Sequence, residues 1–109
     1  MRLRLPNRRP QTTFDMGRYS IAVGFDPRTG KALEVFADDP HRGTEYEFLV
    51  SDACTVISIS LQYGVPIEAL TSSVGRIPAF RLGRQVEIAA SPIGEIVDKA
   101  ESCGILAGE

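Results

Sequence analysis

Residues 45–75 read EYEFLVSDACTVISISLQYGVPIEALTSSVG, and the spacing of apolar residues along them sets the expected fold. Leu49, Val50, Ala53, Ile57 and Leu61 recur at helical spacing along one stripe, and Phe48, Val56, Ile59 and Tyr63 form a second stripe at an angle to it. Ser51, Asp52 and Thr55 leave only a narrow polar edge. A helix with that pattern is predicted to be buried on two or more sides, by a sheet, by other helices or by a partner subunit. Thr44 is placed to cap its start, with Glu45 and Glu47 near the positive end of the helix dipole. Gly64 is the expected stop, and Pro66 is expected in the first turn of a second, short helix.

Toward the N-terminus the period changes from helix to strand. Thr12-Thr13-Phe14 favours extended backbone and Asp15-Met16-Gly17-Arg18 a tight turn, after which Tyr19, Ile21, Val23 and Phe25 alternate with Ser20, Ala22 and Gly24. Asp26-Pro27-Arg28-Thr29-Gly30-Lys31 has the residues of a turn, and Leu33, Val35 and Ala37 then face one side of a third strand. Phe36, on the opposite side, implies that this second face is also covered, as across a dimer interface.

Toward the C-terminus, residues 76–90 (RIPAFRLGRQVEIAA) read as irregular, with Gln85 to Ile88 as a short strand at most. Two readings stand side by side: a connecting loop anchored by Phe80 and Leu82, and a mobile basic loop that binds a partner through Arg76, Arg81 and Arg84. Ser91 and Pro92 open a last helix carrying Ile93, Ile96, Val97 and Ala100 on one side, with Gly104 as its expected end and Cys103 near an exposed terminus. The predicted fold is α+β: a small antiparallel sheet of about three strands followed by three helices, the long central helix buried. It occupies residues 12–109, behind a basic arm of residues 1–11.

Composition removes several functions. A formal net charge of −2 gives no global attraction to nucleic acid or anionic membrane. No apolar run approaches the roughly 20 residues of a membrane span, and Met1-Arg2-Leu3-Arg4 does not lead into a secretory signal, so a cytoplasmic location is expected. Cys54 and Cys103 form no Cys-x-x-Cys pair, and His41 is the lone histidine, so neither a zinc site nor a dithiol motif is assembled and no metal or cofactor is expected. The carboxylates of Asp38-Asp39 point apart, Ser58, Ser60, Ser72 and Ser73 have no nearby base in sequence, and the glycines do not fall at phosphate-loop spacing. The helix, corner, helix order of residues 59–70 imitates a helix-turn-helix. Its second helix, however, offers Glu68 and no Lys or Arg before Arg76, so DNA binding ranks below a packing role.

The arm carries Arg2, Arg4, Arg8 and Arg9. Terminal charge clusters are ordinarily solvated, although paired guanidiniums also have the geometry to grip a phosphate or carboxylate. A resemblance bears on that choice. Arg4-Leu5-Pro6-Asn7-Arg8-Arg9-Pro10 with Thr12-Thr13-Phe14-Asp15, then Asp52 through Leu61-Gln62-Tyr63-Gly64-Val65-Pro66-Ile67-Glu68-Ala69-Leu70, then Ser91-Pro92-Ile93-Gly94, resemble the small bacterial proteins of the TSCPD-domain family. That domain also forms the C-terminal region of adenosylcobalamin-dependent ribonucleotide reductases. The Thr-Ser-Cys-Pro-Asp string itself is absent, and Ser91-Pro92 lacks a preceding cysteine. The resemblance implies a non-catalytic accessory or binding module, with a ribonucleotide reductase or a nucleotide as its partner, and no catalytic residue carries over. It favours Arg8 and Arg9, with Asn7, as the contact for an anion or partner protein. A homodimer is expected from Phe36 and the doubly apolar helix. The alternatives are a component of a ribonucleoside-diphosphate reductase that needs a partner catalytic chain, with Cys103 as thiol carrier, and a small helix-turn-helix DNA-binding protein.

Overall fold

A computed structural model describes residues 2–3, 5–15, 20–38 and 43–107. Strands β1 (Gln11–Asp15), β2 (Ser20–Phe25) and β3 (Ala32–Asp38) form an antiparallel sheet in that order. The alternation read from the sequence fixes its faces. Val23 pairs with Thr12 and Val35, and Ile21 with Phe14 and Ala37, so these rows point to the core side. Gly24 pairs with Gln11 and Glu34, and Ala22 with Thr13 and Phe36, on the outer side. Asp26 builds the β2–β3 turn: its carboxylate accepts from the Arg28 backbone N–H at 2.9 Å and its carbonyl from Gly30 at 2.7 Å. Those bonds to Arg28 hold the Asp26 carboxyl below its usual pKa.

Helix α1 (Glu45–Gln62) begins at Thr44, whose Oγ1 accepts from Glu47 N, and ends at Tyr63 with Gly64 at φ 100°, a conformation natural to glycine. Helix α2 (Ile67–Thr71) is a single turn of five residues, with Pro66 just outside it as N-cap. Strands β4 (Arg76–Arg81) and β5 (Arg84–Ala89) follow, and then α3 (Pro92–Ala107). Ser91 Oγ accepts from Gly94 N at 3.1 Å, the cap its sequence position predicts. The core side of the sheet meets α3 through Ile96, Val97, Ala100 and Cys103, and α1 through Val50, Cys54, Ile57 and Leu61. Ile21, Val23, Val35, Ile96 and Val97 are excluded from solvent almost completely, each contributing roughly 1.5–3 kcal/mol by burial.

The fold is thus α+β with the expected three-stranded antiparallel sheet, and four local expectations are corrected. Residues 76–90 are not an irregular loop: β4 and β5 form a regular two-stranded hairpin from Arg76↔Ala89 to Arg81↔Arg84. Alternation there is masked by Pro78, Gly83 and interspersed arginines. Phe80 and Leu82, expected as anchors, are exposed. Leu49 lies outside the buried stripe of α1, which comprises Val50, Cys54, Ile57, Ser58, Leu61 and Gln62, while Phe48, Val56, Ile59 and Tyr63 are exposed on the far side. Finally, α3 continues past Gly104 to Ala107, which places Cys103 inside the helix and in the core at 5% exposure rather than at an open end. Residues 16–18 of the predicted first turn, Tyr19 of the predicted strand, Arg4 of the arm, Asp39 and His41 lie outside the described residues.

The exposed edge of β3 explains the two polar members of the α1 stripe. An edge strand presents unpaired backbone groups. Ser58 Oγ accepts from Val35 N at 2.9 Å and donates to Val35 O at 3.2 Å, and Gln62 Nε2 donates to Leu33 O at 3.1 Å. Four residues of helix advance about 6 Å and two residues of strand about 6.7 Å. A helix running against β3 therefore matches the edge with side chains at i and i+4.

The candidate site where the arm meets the helix corner

Gln62 is also where the arm is held. Its backbone carbonyl accepts from Leu3 N at 2.7 Å and its side-chain Oε1 from Arg2 Nε at 2.5 Å. Further along, Phe25 N donates to Pro10 O at 2.9 Å, so the arm continues the pairing of β1 outward. Arg9 reaches over the outer face of the sheet and forms a two-pronged pair with Glu34, through Nε to Oε1 and through Nη2 to Oε2 at 3.1 Å. Its remaining nitrogen donates to Pro6 O at 3.0 Å, which closes the Pro6–Arg9 segment into a fixed bend. Glu34 reaches this partner by lying across Gly24, with Gln11 Nε2 at 3.5 Å.

The start of the arm, Arg2 and Leu3, is thus held against the Gln62–Pro66 corner, while the Leu5–Pro10 stretch of the family resemblance is held at Glu34 and Phe25. Between the start of the arm and the corner lies a cleft of about 360 Å³ walled by Leu3, Leu33, Leu61, Val65 and Ile67, with the exposed Lys31 and Glu68 among its lining. Of the arm residues singled out from sequence, Arg9 is satisfied internally. Asn7 and Arg8 are exposed on the bend that Arg9 fixes, and Arg8 makes no ion pair with any described residue. Gln62 was the signal sequence reading passed over: a polar residue at a core position of an apolar stripe needs partners.

The thiols do not join this site. Cys54 is 3% exposed and Cys103 5%. Burial pushes the Cys54 thiol up to about 11 and raises that of Cys103 as well, against a smaller opposing effect of Lys99. Thiolate is the reactive form, so both should resist iodoacetamide at pH 8 in the native protein and alkylate readily in urea, as mass spectrometry would resolve. Fast native labelling of Cys103 would contradict this packing. Among the described residues no group of three His, Cys, Asp or Glu side chains is gathered that could hold a metal, and no helix is long and apolar enough to cross a membrane.

Among known protein families, the family model of the TSCPD domain matches residues 2–103. No curated protein and no solved structure matches.

Proposed function

We propose, from the premise that this chain belongs to the TSCPD-domain family, that it is a non-catalytic accessory or binding module whose contact is the strapped arm. TSCPD domains are known from ribonucleotide reductases, and the partner proposed is such a reductase or its nucleotide. The carrying observation is the division of labour between neighbouring arginines. Arg9 is consumed by Glu34 and Pro6 O, and in being so it holds Asn7 and Arg8 outward on a bend of defined shape. A cation presented on an ordered backbone loses less conformational freedom on binding a phosphate or carboxylate than one on a loose tail. The partner-dependent reductase component, with Cys103 as thiol carrier, is the less favoured reading because the thiol is buried.

Arg8→Ala is expected to weaken binding to a nucleoside diphosphate or to a ribonucleotide reductase by about 10- to 100-fold, the loss of one charge-assisted contact, with the thermal midpoint unchanged. Calorimetric titration with each ligand measures the first and a melting curve the second. Equal affinity of wild type and variant for both would refute the reading.

A further inference from the structure

Among the described residues, most of the exposed large apolar side chains gather on the hairpin and on the outer stripe of α1, with Leu3, Phe36 and Val65 exposed elsewhere. On β4–β5, cross-strand pairing puts Ile77, Ala79, Val86 and Ile88 on one face, with Arg81 and Arg84 opposite each other on that same face at the tip. Ile77 and Val86 are exposed, and Leu82 at the apex is fully so, at 102%. The base of the hairpin is tied to α3 by the two-pronged Arg76–Asp98 pair, but among the described residues its tip packs on nothing, and an unsupported two-stranded ribbon is marginal in water. Two further features of the hairpin are unfavourable in an isolated chain. Leu82 has φ 52° and Gly83 φ 76°, the paired left-handed residues of a type I′ turn, whose first position suits Asn, Asp or Gly and strains leucine. Arg81 and Arg84 set like charges directly across the strands. Strain that keeps an apolar residue at an exposed apex is an observation that points to a contact there.

The complementary surface is on the same chain. The exposed stripe of α1 carries Phe48, Val56, Ile59 and Tyr63, with Asp52 midway between Phe48 and Val56. The charged residues of α1 are Glu45, Glu47 and Asp52, with no lysine or arginine along its 18 residues. An apolar ribbon tipped by two arginines fits an apolar helical stripe edged by carboxylates in both hydrophobicity and sign.

We infer that the chain forms a two-fold dimer in which the β4–β5 hairpin of each copy lies on the outer face of α1 of the other, with Leu82 among the apolar side chains and the Arg81/Arg84 pair against Asp52. The contact is reciprocal, so each interaction occurs twice. It gives a reason for the second stripe of α1, for the leucine in a left-handed turn and for the facing arginines. This inference does not depend on the reductase-related reading.

Sedimentation equilibrium of the full chain tests it. Wild type should be dimeric. Val86→Asp on the hairpin and Val56→Asp on the helix should each be monomeric at the same concentration, still with the circular dichroism of a folded chain because both positions are on the surface of the single chain, and with a melting point that no longer rises with protein concentration as the wild-type dimer's does. Mixing the two variants restores one wild-type hairpin on one wild-type helix, so the mixture should associate where neither variant does alone. Leu82→Asn should relieve the turn, leaving the monomer as stable or more so, while raising the dimer dissociation constant at least about tenfold. A monomeric wild type, a variant that remains a dimer, a mixture no more associated than its components, or unchanged association in Leu82→Asn would each overturn the arrangement. A monomer whose hairpin binds a different protein would be among those overturning results.

Discussion

Gly24→Ala is expected to destabilise the protein by about 3 kcal/mol, although local propensity predicts the opposite sign. Alanine in a strand is normally better than glycine by roughly 0.5–1 kcal/mol, and no left-handed backbone at Gly24 stands in its way, since the described left-handed glycines are 30, 43, 64 and 83. The Glu34 side chain decides otherwise. A Cβ at position 24 would sit 2.5 Å from Glu34 Cγ and 2.7 Å from its carboxyl carbon. To make room, the carboxylate must swing away from Arg9 and Gln11. Separating a largely buried ion pair leaves a charge without its partner and costs about 3–5 kcal/mol, partly relieved here because Arg9 keeps 24% of its side chain in solvent. Urea unfolding of Gly24→Ala measures the loss. The same substitution in a Glu34→Ala background should be neutral or slightly stabilising, since the obstacle is gone. An equal loss in both backgrounds would mean that the strain lies in the backbone.

Ser58→Ala should cost about 2–3 kcal/mol, far more than an ordinary hydroxyl. One oxygen accepts from the N–H and donates to the C=O of Val35 within a buried contact, and its removal leaves both backbone groups dry, at about 1–3 kcal/mol for each unsatisfied group. Partial relaxation of the helix against the strand brings the sum below the maximum. Ser60→Ala is the matched control. Its hydroxyl donates to Val56 O at 2.8 Å in a solvent-exposed bond on the same helix, so its loss should stay within about 0.5 kcal/mol. Hydrogen exchange adds a local readout, because the Val35 amide should lose protection selectively in Ser58→Ala. Equal effects of the two substitutions would show that α1 does not seal the β3 edge.

Both predictions turn on residues that sequence reading passed over. Ser58 lay between two apolar stripes, and Gln62 entered only as part of a corner motif. Glu34 stood only as a neighbour of Phe36 on the second face of a strand. Each becomes structural through a partner 23 to 60 residues away in the chain, as in the Ser58–Val35 and Arg2–Gln62 bonds. Arg9 shows the same effect at the candidate site. Sequence placed it beside Arg8 as an equivalent cation, and only the arrival of Glu34 across Gly24 separates a residue that holds the arm from one that faces outward.

The amino-acid sequence by itself determined the elements whose cause is local. Period-two alternation set β2 and β3, helical spacing set α1 and α3, Thr44 and Ser91 set helix starts, and Asp26 with Gly30 set the β2–β3 turn. It also placed two apolar stripes on α1, because spacing along a helix fixes direction around the axis. Tertiary structure alone decided which stripe is enclosed within the chain, that the arginine-rich segment after α2 is a hairpin, and that the start of the arm lies against the helix corner. Periodicity specifies where a side chain points and carries no information about what stands there. That is fixed by packing the whole chain, when apolar area, edge hydrogen bonds and buried charge must all be satisfied together.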